Sequence, residues 1–331
     1  MKSKILRMLK ERQTYVSGEE LSAQLGVTRA AVWKAIGKLR EEGYEIDSAT
    51  NRGYRLVSCP RDRMTRETLL DAATYDGSMW KEIYYAKQLD STNLEAKRVL
   101  LEGRGAEPGA VVCEQQFSGR GRRGRGWVSP LGAGLWMTLV LRPNLEPMKA
   151  SMLTLVAGLA VSRAVEELYE IPATIKWPND IVVHGKKLCG ILTEMTTEEM
   201  RMTGIVVGIG VNTGITDFGE ELREKATSLA LEVAKPDEVD RLMVFRAVLR
   251  QFQSCYEQFM QTKDLSLLID DYNARCITVG HRVRVEEGAS AFEAWAQAVD
   301  AQGELLVRLE DGTSRTVCAG EVSVRGVMGY V

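Results

Sequence analysis

The sequence predicts an α+β, multidomain protein built from three segments in series: helices closing on a hairpin, a long mixed stretch, and a short all-β end. Three observations carry this. Apolar residues recur at helical spacing near the N-terminus and then give way to a strand–turn–strand pattern. In the middle, strand-like runs are interleaved with long helical ones. Beyond Cys276 only short strands remain, separated by turns at Gly288, Gly303 and Gly312. The 331 residues allow two or three domains, and a composition 45% hydrophobic and 27% charged is that of a soluble globular chain.

In the first segment, Ile5, Leu6 and Leu9 mark one helix face. Ser17 with Glu20 three residues later resembles a capping box opening a short helix to Leu25. Gly26 turns the chain and Thr28 caps a further helix, in which Val32, Ile36 and Leu39 keep helical spacing up to Gly43. YEIDSATNRGYRLV then reads as strand, turn, strand. Helix–turn–helix plus hairpin is the winged helix-turn-helix plan. Residues 1–60 hold 11 Lys+Arg against 7 Asp+Glu, a net of +4; as the whole chain carries −2, the remainder carries −6. A basic unit on an acidic body points to separate tasks. Thr28, Arg29, Lys34 and Lys38 on the second helix, with Arg52 and Arg55 on the hairpin, are candidate DNA contacts, since basic side chains neutralise phosphates and read guanine edges.

A charged connector around CPRDRMTRE leads to the middle segment. There EIYYAKQL and GAVVCEQQF read as strands, and residues 151–170 as a helix. Residues 173–195 and 201–212 read as strands of one sheet, and residues 236–260 as a second long helix. The closing strands HRVRVEE, FEAWAQAVD, ELLVRLED and TSRTVCAG suggest a small β-barrel. No apolar run reaches the ~20 residues of a membrane span, and the basic N-terminus is amphipathic rather than signal-like. The six dispersed cysteines (59, 113, 189, 255, 276 and 318) form no CxxC pair, which reads as reduced thiols in a cytoplasmic protein. With two histidines and no His/Cys cluster, no metal ligand set is assigned.

SGRGRRGRGW (residues 118–127) places four arginines among four glycines. Gly119, Gly121 and Gly124 satisfy G-x-G-x-x-G, but a dinucleotide fingerprint requires a helix directly afterwards. Here Pro130 and the β-rich LWMTLVL follow, which indicates loop then strand. A disordered Arg-Gly tail does not fit a position between two apolar strands. A ligand-binding loop does: glycine lets the backbone approach closely, and guanidinium forks hold phosphate or carboxylate in bidentate fashion. Its bland alternative is a solvated basic turn. Other stretches favour a site: DSTN (90–93) at a helix start, Gln116 before the loop, KWPND (176–180), KKLCGIL (186–192) and GIGVN (208–212).

Taken in order, these stretches resemble the biotin–protein ligases, and the whole chain is similar to their bifunctional ligase and biotin operon repressor type. The resemblance implies a winged helix-turn-helix over 1–62 (helix-turn-helix about 18–38), a linker over 63–79, an SH2-like catalytic domain over 80–270 and an SH3-like barrel over 276–331. It implies a two-step reaction in which biotin and MgATP give biotinyl-5′-AMP, and a lysine of a biotin carboxyl carrier protein then takes the biotin. It assigns Ser91, Thr92 and Asn93 to the biotin ureido group, and Gln116, Arg120, Gly121 and Arg122 to the lining of the ligand. Arg122 holds carboxylate and α-phosphate, and Lys187 stabilises charge developing at that phosphate. Trp127 and Asn212 contact the adenosine half, while Asp180 serves a metal or the acceptor lysine. The loop is expected to be mobile when empty and ordered by an anion. The adenylate then promotes a homodimer that binds operator DNA. Two competing readings remain: a transcription factor whose middle domain only senses a ligand, and a lipoate or octanoate transferase. Retention of Arg122 and Lys187 opposes the first; the winged unit and KWPND oppose the second.

Overall fold

Three helices and a hairpin fold together at the N-terminal end of the computed structural model, which describes residues 1–12, 14–58, 62–198, 201–287, 290–319 and 322–326. Helices α1 (Lys2–Arg12), α2 (Gly18–Leu25) and α3 (Arg29–Glu41) precede strands β1 (Glu45–Ala49) and β2 (Gly53–Ser58) within the unit Met1–Arg63. Ile5, Leu9, Leu21, Val32, Ile36, Leu39 and Ile46 form one buried cluster, so the apolar spacing of each helix faces a common core. Ser17 caps α2 by accepting from the Glu20 N–H at 3.0 Å. The Glu20 carboxylate instead pairs with Arg12, also at 3.0 Å, so half of the expected capping box forms. Val16 and Tyr54 exchange both backbone hydrogen bonds, which ties the loop after α1 to the hairpin. Gly53 makes that closeness possible: a Cβ there would lie 2.1 Å from the Val16 carbonyl oxygen.

The second unit, Met64–Val331, contains a seven-stranded sheet. Its elements are α4 (Arg66–Ala73), β3 (Glu82–Leu89), α5 (Thr92–Leu101), β4 (Gly109–Gln116), β5 (Gly134–Leu141), α6 (Leu153–Tyr169), β6 (Thr174–Lys176), β7 (Asp180–Val183), β8 (Lys186–Glu198) and β9 (Arg201–Asn212). Short helices α7 (Gly219–Leu222) and α8 (Leu229–Glu232) and the long α9 (Arg241–Thr262) and α10 (Ile269–Arg275) follow. The strand order is β3-β4-β5-β9-β8-β7-β6. Only β3 and β4 run parallel, joined across α5; the other neighbours are antiparallel. One sheet face packs on α5 through Ala96, Val99, Leu100, Val111, Val140 and Val206. The other meets α6 and α9 in the main core, where the Trp80 indole N–H donates to the Leu249 carbonyl at 3.1 Å.

Three local details differ from expectation. The stretch 63–79, read as a linker, contains α4, whose Leu69, Ala72 and Ala73 are buried. Thr65 and Thr68 cap it reciprocally, and the charge around it masked its apolar face in the sequence. The long helix expected from Pro236 starts at Arg241, where Asp240 accepts from the Leu242 and Met243 N–H groups. The segment Pro147–Tyr169 is long and apolar enough to cross a membrane by length and composition, yet 78% of its most apolar stretch is buried inside the protein.

The C-terminal strands are β10 (Arg282–Glu287), β11 (Ser290–Val299), β12 (Leu305–Arg308), β13 (Ser314–Val317) and β14 (Val322–Gly326). They do not form the expected SH3-like barrel. They make an open five-stranded antiparallel sheet in the order β13-β12-β11-β10-β14, with β13 and β14 as its two edges. Closure requires hydrogen bonds between the edge strands and a matching stagger, and brevity and number of strands specify neither. The sheet is joined to the rest of its unit by a parallel bridge between Ile175 and Cys276 and by the Trp177 indole N–H donating to Gly303 at 3.1 Å. Cys113, Cys189, Cys255 and Cys276 are buried free thiols and Cys318 is exposed; burial raises Cys113 to about 12 and Cys255 to about 11. Cys59 and the turn residue Gly288 lie outside the described residues.

Candidate active site

The parallel strands β3 and β4 end side by side, so the chain after each arrives at the same edge of the sheet. After β3 comes Ser91, at the cap position of α5, 1% exposed and making no side-chain cap bond. After β4 comes the Arg-Gly loop. Gln116, the last residue of β4, links the two: its Oε1 accepts from the Thr92 N–H at 2.8 Å and from the Thr92 hydroxyl at 3.1 Å. Its Nε2 donates to Ser129 Oγ at 2.7 Å, on the far side of the loop.

Asn93 is 4% exposed and fully engaged by the protein. Its Nδ2 donates to the Leu192 carbonyl at 3.1 Å and to Glu194 Oε2 at 2.9 Å, and its Oδ1 accepts from the Thr138 hydroxyl at 2.7 Å. This geometry makes Asn93 a clamp between α5 and the sheet. Glu194 also takes Lys97 Nζ at 2.7 Å and has Arg120 at 3.8 Å. Burial pushes the Glu194 carboxyl up, but hydrogen bonds from Lys97 and Asn93 and the charges of Lys97 and Arg120 outweigh it and hold the group below its usual range.

The loop is folded on itself. The Trp127 N–H donates to Gly119 O and the Gly121 N–H to Arg125 O, each at 2.8 Å, around a turn at Arg122–Gly124. Arg123 takes a left-handed φ of 56° there and is exposed. Arg122 crosses to the KWPND turn, donating to Asn179 Oδ1 at 2.9 Å, and a second guanidinium nitrogen donates to the Ala319 carbonyl. Burial, with the like charges of Arg123 and Arg125, holds the Arg122 guanidinium below its usual value despite Asp180 nearby.

Lys187, at the start of β8, places Nζ 2.7 Å from Asp180 Oδ1 and 5.2 Å from the centre of the Trp127 ring. The indole lies against two glycines that face each other on β8 and β9, Gly190 and Gly210. A Cβ would come within 2.9 Å of the ring at Gly190 and within 2.6 Å at Gly210. Trp127 Nε1 is buried without a hydrogen-bond partner among the described residues. Asn212, 3% exposed and two residues beyond Gly210 on the same strand, donates to the Thr227 carbonyl at 3.0 Å.

The fold thus brings Ser91, Thr92, Asn93, Gln116, Arg120, Arg122, Trp127, Asp180 and Lys187 to one region, with Asn212 at its margin. A cavity of about 250 Å³ beside it is lined by Arg122, Arg123, Thr154, Leu192, Thr193 and Ala319. A second cavity, of about 290 Å³, is lined by Arg66, Lys81, Tyr84 and Arg104 and contains none of these residues. Sequence reasoning passed over Thr138, Ser129, Glu194 and Lys97, which tie these elements together. It also passed over the strand glycines 190, 208 and 210; glycine inside an apolar strand was the available signal of close approach. Among the described residues no three His, Cys, Asp or Glu side chains form a metal cage.

In the N-terminal unit, Arg29, Lys34, Lys38 and Arg52 are exposed. Thr28 caps α3, its hydroxyl accepting from the Ala31 N–H at 3.2 Å. Arg52 and Arg55 both lie over the Tyr15 ring, 4.6 and 5.0 Å from its centre.

Residues 85–212 match the biotin/lipoate A/B protein ligase family, residues 2–55 an HTH domain, and residues 278–325 the biotin protein ligase C-terminal domain. The chain is 36% identical over 309 residues to the bifunctional ligase/repressor BirA of Bacillus subtilis (strain 168), covering 92% of this chain and 93% of that protein. It is 34% identical to the biotin–[acetyl-CoA-carboxylase] ligase of Mycobacterium tuberculosis, over 79% of this chain and 94% of that one. Among solved structures, the biotin protein ligase from Aquifex aeolicus in complex with biotin and ATP superimposes with a TM-score of 0.66. It is 30% identical and covers 75% of this chain and all of that one.

Proposed function

The chain belongs to the bifunctional biotin ligase/repressors, and from that premise we propose what each part of its site does. It is an ATP-dependent biotin–protein ligase combined with a DNA-binding repressor, and it binds biotin and ATP. A carboxylate is a poor electrophile at neutral pH; joining it to AMP supplies a leaving group that an amine displaces. Catalysis of such a transfer is positioning and charge stabilisation.

The observation that supports the site assignment best is the Arg122–Asn179 hydrogen bond beside the Lys187–Asp180 pair. The first bond joins the arginine loop to the KWPND turn 57 residues on, and together with the pair it sets two cations and one carboxylate side by side. In our reading Arg122 and Arg120 hold the biotin carboxylate and the α-phosphate, and Arg122 retains the adenylate. Lys187 neutralises charge at the α-phosphate in the transition state. Asp180 keeps Lys187 in place until an anion arrives and then receives the acceptor amine. Ser91 and the Thr92–Gln116 pair meet the ureido group, while Asn93 serves from behind as their support. Trp127 forms the wall for the adenosine half, and Asn212 stiffens its margin.

Magnesium fits as a partner of the nucleotide. With no protein cage among the described residues, it would come with the phosphates and keep several waters, with Asp180 and Asn179 the side-chain oxygens that would help complete its shell. Bound there, it would offset phosphate charge. The carrier protein and operator DNA are the macromolecular partners consistent with the family. A homodimer promoted by biotinyl-5′-AMP and a cytoplasmic location complete the proposal.

The purified chain with biotin, MgATP and a carrier domain tests it. Mass measurement is expected to find biotin on one carrier lysine, and biotinyl-AMP when the carrier is omitted. Pyrophosphate production with lipoate but not biotin, or no adenylate at all, overturns it.

A further inference from the structure

Helix α3 carries two residues that its own fold does not need. Trp33 is 69% exposed, the largest apolar side chain on the outer face of this helix, while Val32, Ala35, Ile36 and Leu39 fill the core behind it. One turn later stands Gly37. A glycine in a helix interior costs about 1 kcal/mol relative to alanine. Here that loss has no internal cause: nothing lies within 4 Å of where a Cβ would sit. Gly37 therefore leaves room for something outside the protein, next to an indole that the protein leaves uncovered.

The surroundings say what approaches. Arg29, Lys34 and Lys38 are exposed on the same helix, so the body that meets this face is an anion with apolar features on its surface. Duplex DNA fits. Its backbone is uniformly charged, and in the major groove its one exposed apolar group is the C5-methyl of thymine. Lysine and arginine position a helix on phosphates; base edges are what discriminate sequence. We propose that Trp33 is a specificity-determining residue that packs on a thymine methyl group, and that Gly37 keeps the helix flat enough for the base to reach it.

The inference rests on the repressor activity, and the test separates the two. A duplex is first recovered from a random pool by selection on the full-length protein with biotin and MgATP. It is then compared with copies in which single thymines are replaced by deoxyuridine, which removes only the methyl group. The wild-type protein is expected to lose about tenfold in affinity at one thymine per half-site, the range of a single-position change in a specific complex. Trp33→Ala is expected to bind both duplexes equally, at the weaker level, with an unchanged salt slope and unchanged ligase activity. Gly37→Ala, which raises helix propensity in open space, is expected to weaken binding of the selected duplex while the melting temperature holds or rises. If Trp33→Ala still distinguishes thymine from deoxyuridine as the wild type does, or Gly37→Ala binds at full strength, the inference is overturned. If the wild type retains no duplex from the pool, the repressor activity fails with it.

Discussion

Asn93 and Gly208 occupy one another's space: a Cβ on Gly208 would lie 2.1 Å from Asn93 Oδ1. Helix α5, which begins the proposed ligand site, is seated directly on a strand that has no side chain at that point. Gly208→Ala therefore cannot be absorbed locally. It is expected to destabilise the protein by about 1–3 kcal/mol, as overpacking does, and to raise KM for biotin more than KM for ATP. Thermal melting with the two KM values checks this; unchanged values for both would show that α5 tolerates displacement.

Arg122 bonds across to Asn179 and to Ala319, and in the proposed site it is the cation that holds the reactive anhydride. Loss of a charge-assisted hydrogen bond of about 1.5–3 kcal/mol predicts roughly 10- to 100-fold faster release of biotinyl-AMP from Arg122→Ala. Lysine cannot reproduce the fork, so Arg122→Lys is expected to leak nearly as fast. Rapid filtration of labelled adenylate in the absence of carrier measures both.

Lys187 differs in kind. Paired with Asp180 at 2.7 Å, it supplies a point charge rather than a fork. Lys187→Met is expected to lower kcat for adenylate formation by roughly 100-fold, the scale of a lost transition-state donor, with KM for biotin little changed. A large rise in KM at constant kcat would make it a ground-state contact instead.

Glu194 provides a pH signature. Its carboxyl is held below the usual range in the folded protein, so its contribution to stability is present above the unfolded carboxylate value and disappears as pH falls through the folded one. Glu194→Gln is expected to be less stable than wild type by about 1–2 kcal/mol at pH 7. The gap should close in acid, below the ordinary glutamate range. Denaturant titrations across pH are the measurement; a gap independent of pH would show that shape rather than charge holds Asn93 and Lys97.

What could be read in the sequence was mostly what is local. Ile5 with Leu9, and Val32 with Ile36 and Leu39, announce helices because a helix face is written into neighbouring residues. The basic loop, Trp127 and Lys187 stand out in the sequence as candidate site residues for the same reason. Closure of the last five strands was not, since it depends on which edges meet across the sheet. Nor were the supports of the site. Thr138, Glu194 and the glycines at 190, 208 and 210 act through the register of β5, β8 and β9, and pairing between distant strands decides which side chains share a face. The helix α4 was hidden for a third reason: its flanking charges resemble those of a linker, and only its buried side marks it as structure.

The bond between the Trp127 N–H and the Gly119 carbonyl closes the stem of the arginine loop, and the glycine pair beneath the indole holds that stem to the sheet. The polymer that must be tamed by a ligand is then only the tip between those two residues. Chain-closure entropy rises with the logarithm of length, so a tip this short has little disorder left to surrender. Under the proposed role the loop is a hinged clasp, in which the catch is the ligand's own negative charge. How long an adenylate stays is then set by ionic bonds that must break together, and much less by how fast a floppy segment wanders open.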